Sequence, residues 1–476
     1  MRYIFGVRRN RGCLMRTRTA AIGCALALLA SACGSRLSDE QLAAGAGTNG
    51  GAVNTAGTSP STPGNGESAG PMFGDLPSPC GPAPEGFVAT ASEQGVTETS
   101  IKIGVVSDKA AVVKVPTASI EESVQAFVTY CNDLGGINGR KLELAKYDSK
   151  LGDTKAAVES ACNDGLFAIV GSGSVFDDLG AQASVDCGLP DIAGYTATAT
   201  KTLAPNVMTP LPNPPSSLAI GPARYLAEVL GPDVIANSAV VSSSQVDTAW
   251  VQALRVQEGW ATVGYNFTVV EDTLIFEESY APVAQKMKSA GVRFVTMVST
   301  TSETAKLLRD MGTQGFTPDA VLLGAQYYDP ELLTEPTSEG VYVELNTIPF
   351  EEADSNPAMK QFMDIYAATK TKTLATGLGV QSFSAALMFA TAAKAAGADL
   401  TREALFEQIE QIHSWTGGGL HFETDPGAEA RSDCYLIVQV QDGKFVRVSP
   451  PEPGTFACDP ANTVELTKNN GSGVGS

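Results

Sequence analysis

After Ile101 the apolar residues alternate between two spacings, and this constrains the fold more than any other feature. "IKIGVV", 101–106, reads as a strand buried on both faces, whereas Ile120, Val124, Phe127, Val128, Cys131 and Leu134 share one helical face. Gly135 and Gly136 stop that helix. A strand at "KLELAKY", a helix at "TKAAVESACND", the strand "LFAIV", a helix from about Asp178 to Cys187 and the short strand "PDIAGY" complete a βαβαβαβ series. Such alternation implies a parallel sheet covered by helices on both faces.

A second series follows the Pro-rich "TPLPNPPSS". It runs as helix "LAIGPARYLAEVL", strand "SAVVSS", helix "DTAWVQALRVQEG", strand "FTVVE", helix "YAPVAQKMKSAG", strand "RFVTMVS", helix "SETAKLLRDMG" and strand "AVLLGA". Three helices are expected around 357–368, 378–396 and 401–411, then a hairpin in "DCYLIVQVQDGKFVRV" turning at Asp442-Gly443. The fold class expected is α/β, as two doubly wound parallel-sheet lobes.

The N-terminus is of a different kind. Arg2, Arg8, Arg9, Arg11, Arg16 and Arg18 precede the apolar "AAIGCALALLASAC", which is short for a membrane span and reads as an export signal, residues 1–32. Met15 begins a more compact version of it, so two start sites remain open. From Gly34 to about Pro79 the chain is rich in Gly, Ser, Thr, Asn and Pro and short of large apolar residues, which reads as a flexible tether, 33–80. "GESAG", 66–70, fits G-x-S-x-G, but a nucleophile elbow needs a strand before it and a helix after it, so the match is fortuitous. Residues 461–476 are expected to be a disordered tail.

Formal charge is -20, and removing the six signal arginines takes it to -26, the wrong field for nucleic acid. Two of the nine cysteines lie in the signal, Cys33 follows it, and six remain in an exported chain, which suits disulfides. Of fifteen connectivities, Cys131 with Cys162 and Cys434 with Cys458 are favoured, leaving Cys80 with Cys187. No C-x-x-C pair or phosphate-binding G-x-x-x-x-G-K-[ST] loop occurs, so no metal, cofactor or ATPase role is expected. His413 and His421 are the only histidines and read as polar residues at a helix end and a chain crossing; enzyme chemistry is not expected.

"FAIVGSGSVFDD", 167–178, raises the question of function most directly. An apolar strand enters a Gly-Ser-Gly turn and then two aspartates that can open a helix, an arrangement whose N–H groups suit an electron-rich ligand. A dinucleotide fingerprint fails because Phe176 stands where a third glycine belongs.

Two resemblances extend this reading. "LLASAC" resembles the lipobox of bacterial lipoproteins, with Ala30 where leucine is usual, and implies Cys33 as a lipid anchor on the outer face of the cytoplasmic membrane or its periplasmic side. "NDLGGINGRKLELAKYDSKLGDTKAAVESACNDGLFAIVGSGS", with "LPDIAGYTATAT", "AALMFATAAKAAG" and "SWTGGGLHF", resembles type I periplasmic binding proteins of the branched-chain amino-acid-binding branch over about 97–448. The resemblance implies lobes of 97–214 with 347–422 and of 215–346 with 423–460. Crossings would fall near 212–216, 345–349 and 421–424, and the lobes would close on a small molecule delivered to an ABC permease. A sensing module of the same fold is the alternative.

In such proteins the turn after the third strand holds a polar head group, commonly an amino-acid carboxylate. The resemblance therefore implies ligand roles for Ser172, Gly173, Ser174 and Val175, with Tyr195, Thr196 and Thr198 from the next turn. Gln245, Asp247, Thr301, Gln326 and Tyr327 stand at strand ends of the second lobe. Gln326 occupies the place where amino-acid receptors carry an acid for the ligand ammonium, which argues against a free amino acid unless Asp247 or Glu303 substitutes. Trp250 and Tyr328 are candidate walls, while Phe383 and Trp415 read as helix packing and Gly417–Gly419 as a turn.

Overall fold

The computed structural model describes residues 71–109, 115 and 117–469. The signal, Cys33 and most of the expected tether lie outside them. A short hairpin, β1 (Met72–Phe73) and β2 (Leu76–Pro77), opens the described chain. The first sheet is built from β3 (Ser100–Ser107), β4 (Lys141–Asp148), β5 (Ala168–Val170), β6 (Asp191–Ile192) and β7 (Val207–Met208). Its connections are the helices α1 (Ala118–Asp133), α2 (Thr154–Asn163), α3 (Asp178–Asp186) and α4 (Ala199–Thr202). All neighbouring pairs are parallel, in the order β4-β3-β5-β6-β7.

After β8 (Ser217–Ala219), α5 (Gly221–Leu230) and α6 (Pro232–Ile235), the second sheet collects β9 (Ser238–Ser242), β10 (Phe267–Asp272), β11 (Phe294–Val298), β12 (Ala320–Leu323) and β13 (Tyr342–Leu345). Helices α7 (Asp247–Ala261), α8 (Ala281–Ser289) and α9 (Thr301–Thr313) connect them. These strands are parallel in the order β10-β9-β11-β12-β13. The first sheet has the same order, second-first-third-fourth-fifth, without sequence repetition. Helices α10 (Pro357–Ala368), α11 (Gly377–Ala396) and α12 (Arg402–Glu410) return to the first sheet, and β14 (Cys434–Gln441), β15 (Lys444–Ser449) and β16 (Ala457–Cys458) extend the second antiparallel. The chain ends on β17 (Thr463–Glu465), paired with β8.

Each sheet is covered on both faces. Ile101, Ile103 and Val105 of β3 pack with α1 and α11 around Phe127, Phe383 and Phe389, all fully buried, while Val106 faces Ala157, Val158 and Ala161 of α2. Burying each such phenylalanine is worth roughly 1.5–3 kcal/mol. Phe383 meets Phe73, Phe127 and Phe362 at 5.2–5.5 Å, the helix-packing role expected of it. In the second sheet, Val295 and Met297 pack towards α8 and α9, and Phe294 packs towards α5 and α7. The β14-β15 turn has Asp442 at φ 52° and Gly443 at φ 68°, the two positive values that a type I′ hairpin requires.

Several expectations need correction. The bonds formed are Cys80–Cys131, Cys162–Cys187 and Cys434–Cys458, so only the last was foreseen. Cys131 and Cys162 lie on opposite faces of the first sheet and cannot meet. Cys131 instead staples the end of α1 to the N-terminal segment, and Cys162 joins the ends of the packed helices α2 and α3. A flexible tether reaching residue 80 fails at its end, since Phe73 and Cys80 are buried in the first core. The tail is ordered to Asn469, because β17 pairs with β8 and the Glu258 carboxylate takes N–H bonds from Thr467, Lys468 and Asn469 at 2.6–3.0 Å. Burial opposes ionisation of Glu258, but these three donors hold it down at about 2. The expected helix from Leu218 starts only at Gly221, since Ser217–Ala219 is a strand.

Candidate functional site

In doubly wound sheets the carboxyl ends of the first and third strands diverge to opposite sides and open a crevice. Here those ends are the tips of β3 and β5 in one sheet and of β9 and β11 in the other. At the first pair, Ser107 and Gly173 form a parallel bridge, and the Gly173 N–H donates to Val106 O at 3.0 Å. A side chain at Gly173 would run into Ile120 at 2.6 Å, so glycine lets the turn lie against α1.

Several donors of the turn after β5 are taken within the fold. The Val175 N–H donates to Asp108 Oδ2 at 2.8 Å, and the other oxygen of Asp108 accepts from Ser149 Oγ at 2.5 Å and Leu151 N at 2.8 Å. Ser172 Oγ donates to Asp191 Oδ1, whose second oxygen pairs with Lys201 in a buried bridge. Ser174 is 2% exposed and shares a hydroxyl contact of 3.1 Å with Thr154.

The turn after β6 is held in the same way. Asp177 stands at the N-cap position of α3 but does not cap it; its carboxylate crosses to the next turn, accepting from Ala197 N at 2.6 Å, Thr198 N at 3.1 Å and Thr198 Oγ1 at 2.6 Å. Thr198 also caps α4 by accepting from Lys201 N, and Thr196 accepts from Thr202 Oγ1 at 2.9 Å. Burial pushes Asp177 up to about 6, against the pull of Thr198, Ala197 and Lys201. Tyr195 is half-buried beside Gly173, and burial raises its phenol above the usual range. Thus the structure brings the seven first-lobe candidates together while committing most of their polar atoms inward.

The second-lobe candidates divide. Tyr327 is fully buried, its hydroxyl accepting from Ser299 N at 2.8 Å and facing the Met297 and Ser299 carbonyls at 3.0 Å, so it clamps the end of β11. Thr301, 6% exposed, begins α9 behind the cap Thr300. Glu303 is not available for a ligand ammonium, because it holds Lys306 at 2.7 Å, Tyr280 Oη at 3.1 Å and Glu277 N at 3.2 Å. Tyr328 is likewise committed, to Glu351 and Phe350. By contrast Gln245 and Asp247 are exposed: Gln245 steadies Ile275 N at 2.9 Å, and Asp247, at the start of α7, has no side-chain partner among the described residues. Trp250 is half-buried on the same helix.

Gln326 is half-buried in the single turn Ala325–Tyr327 and folds back over Gly324. That turn meets the N-terminal end of α11, with the Gly377 Cβ position 3.9 Å from Ala325 O. A nearby contact of 3.3 Å joins Gln381 of α11 to Asn346. Gln326 therefore lies at the seam between the two sheets' territories.

Sequence reasoning missed the aspartates. Asp108, Asp177 and Asp191 are 0%, 4% and 1% exposed, and the signal that could have found them is acidic residues placed at strand tips between apolar segments. A second omission is a buried Ser–His pair at the third crossing. Ser384 Oγ lies 2.8 Å from His421 Nε2, Trp415 Nε1 donates to the same serine at 2.9 Å, and His421 Nδ1 meets Phe422 O at 2.7 Å. Trp415 Nε1–H takes one serine lone pair and the Nδ1–H of His421 is spent on Phe422 O, so the serine proton points to Nε2; this is the sense of a nucleophile and its base, but the pair is shut away from solvent. Ser384 is fully buried and His421 2% exposed, and burial pushes the imidazole down to about 4, so the group is a neutral structural brace. Gly417, Gly418 and Gly419, all at positive φ, form the turn before it, where a Cβ at Gly418 would lie 2.6 Å from Phe73 O. His413 pairs at the surface with Asp425 at 2.8 Å.

A concavity of about 790 Å³ with no lining residue from the tips of β3, β5, β9 or β11 lies against α12 and the end of β7, between Met208, Phe406 and four glutamates, Glu403, Glu407, Glu410 and Glu429. The strand tips, where the rule for such sheets places ligands, are the better candidate. Among the described residues no helix is long and apolar enough to cross a membrane, and no His, Cys, Asp and Glu cluster suits a metal ion.

Comparison with known proteins agrees with this architecture. A fatty acid ABC transporter substrate-binding protein from Thermomonospora curvata is similar at TM-score 0.63 and 17% identity, over 78% of this chain and 95% of that one. The leucine-binding protein LivK from Thermotoga maritima gives 0.61 and 17%, over 76% and 99%. An ABC transporter solute-binding protein from R. palustris in complex with 4-hydroxybenzoate gives 0.60 and 15%, over 73% and 95%. At such identities the likeness establishes the fold. Among curated proteins, none matches the sequence. The family model described as "Periplasmic binding protein" matches residues 100–444, well over half the chain, and the protein belongs to that family.

Proposed function

We propose that the protein is a lipid-anchored, extracytoplasmic solute-binding protein that captures a small polar organic molecule between its lobes and presents it to an ABC permease. The observation that carries the reading is the repeated strand order, which gives two crevices at the tips of β3/β5 and β9/β11, joined by chain segments between β7 and β8, after β13 and around Thr424. Two doubly wound units linked by short crossings can hinge about them, and closure removes a ligand from water without chemistry. We take the lobes as 97–214 with 347–422 and 215–346 with 423–460. Anchoring rests on Cys33, and the acidic mature chain suits an exported soluble domain.

The cleft assignment combines Ser174, Tyr195 and Thr196 with Gln245, Asp247 and Gln326. Leu274 and Phe276, 56% and 47% exposed near Gln245, add an apolar lip for a carbon skeleton. A thermal-shift screen of the purified domain with amino acids, amides, short acids and aromatic acids tests the reading, because a solute bound only by the folded state raises Tm. A hit that Gln326→Ala weakens supports it; a hit indifferent to every cleft substitution rejects it. Cys33→Ser should abolish incorporation of labelled fatty acid and release the protein from the membrane fraction.

A further inference from the structure

We propose that the first-lobe turns form an anion site occupied by the protein's own carboxylates, so that the cleft accepts an uncharged polar solute and discriminates against carboxylates. The inference deepens the solute-binding reading and rests on it. A ligand carboxylate is best held by converging backbone N–H and hydroxyl donors at a strand-to-helix turn. Such donors exist here, and four of them are filled from within: Val175 N–H by Asp108 at 2.8 Å, Ala197 N–H by Asp177 at 2.6 Å, and Thr198 N–H and Oγ1–H by Asp177 at 3.1 and 2.6 Å. The Ser172 hydroxyl is taken by Asp191.

Filling these donors from within has two effects on an incoming anion. It removes the hydrogen bonds that would replace the ligand's hydration, and it sets buried negative charge behind the turn, where the low dielectric strengthens repulsion. Lys201 cannot offset this for a ligand, since it is 5% exposed and bound to Asp191. Asp177, at about 6, is ionised at neutral pH. Across the seam, Gln326 offers a neutral amide able both to donate and to accept, and Asp247 adds a further negative group. An amide or hydroxyl compound meets no charge penalty here and finds partners in Gln326, Gln245 and the Tyr195 phenol. The similar structures named above concern leucine, fatty acid and 4-hydroxybenzoate, all carboxylates, so the inference separates this chain from its structural neighbours by chemistry.

Two measurements on the full folded domain test it. In the first, Asp177→Ala is melted in formate and in chloride at equal ionic strength. The variant should lose several degrees in Tm, and formate, filling the vacated donors, should restore more of the loss than chloride while leaving the wild type unmoved. Equal effects of formate and chloride overturn the proposal. The second uses wild-type protein alone, and so stands even if the variant does not fold: matched pairs such as 4-hydroxybenzoate with 4-hydroxybenzamide and octanoate with octanamide are compared by thermal shift. No carboxylate should shift Tm more than its amide partner, and a carboxylate that outdoes its partner overturns the proposal. Rescue by formate with no solute binding at all would uphold the self-occupied site while counting against the receptor reading, so the two failures are distinguishable.

Discussion

At the tips of the first sheet, Asp108, Asp177 and Asp191 gather the N–H and hydroxyl donors of two turns into a buried network; at the tips of the second, Gln245 and Asp247 stand in solvent and Gln326 at the seam. Residues of similar polarity thus have different work. In the first lobe polar side chains hold the turns in shape, so their loss should act on folding. In the second, Gln245 and Asp247 are exposed and Gln326 half-buried, so their loss should act on binding more than on folding.

The largest effect expected is on the first side. Lys201→Met leaves Asp191 buried without its counter-ion, which should destabilise the domain by about 3–5 kcal/mol, measured by urea unfolding. A loss below about 1 kcal/mol would mean that the network is not structural and would erase the contrast between the lobes.

Acidification separates two buried groups with opposite signs. Asp177 has a folded-state value raised to about 6, so its contribution is most favourable below its unfolded value near 3.8 and is lost as pH rises through 6. His421, lowered to about 4, contributes stability that is present above its unfolded value of 6.5 and lost as pH falls towards 4. Each is worth roughly 3 kcal/mol at the limit, so within pH 4–6 the two largely cancel. Asp177→Asn should therefore make the domain lose stability more steeply than the wild type on acidification, and His421→Gln less steeply. Urea midpoints at several pH values check both slopes, and parallel curves would contradict the burial of these groups.

A smaller loss is expected at Ser174. Ser174→Ala breaks one buried hydroxyl contact with Thr154 and should cost about 1 kcal/mol. If it also weakens a bound solute, Ser174 serves both roles, which would sharpen the division between the lobes to a single residue. The smallest effects on stability belong to the second lobe. Gln326→Ala and Asp247→Ala should change unfolding by less than about 0.5 kcal/mol, typical of positions outside the core, yet Gln326→Ala should weaken a bound solute about tenfold, the equivalent of one hydrogen bond. Titration calorimetry on these variants reads the difference directly.

The lobes were legible in the sequence because each strand and helix carries its own period: Ile120 to Leu134 predicts α1, and three helices after Pro357 fall within a residue or so of expectation. What escaped depends on distant partners. "SLA" at 217–219 is a strand only because Thr463–Glu465 returns to pair with it, and the cysteine pairing depends on which face of the sheet each helix covers. The position of the candidate turn in the chain was legible, but not what its polar atoms bind. The Gly-Ser turn stands at a strand tip as its sequence implies, but that Val175 N–H meets Asp108, 67 residues away, and that Asp177 serves the next turn rather than its own helix, are properties of the packed tips.

The most direct test is the affinity of one screened solute measured on three proteins: wild type, Gln326→Ala, and Glu407→Lys in the acidic concavity beside α12. The account predicts a solute without a carboxylate, bound about tenfold more weakly by Gln326→Ala and unchanged by Glu407→Lys. A carboxylate solute whose affinity follows Glu407 and ignores Gln326 would place binding outside the lobes' seam and contradict it.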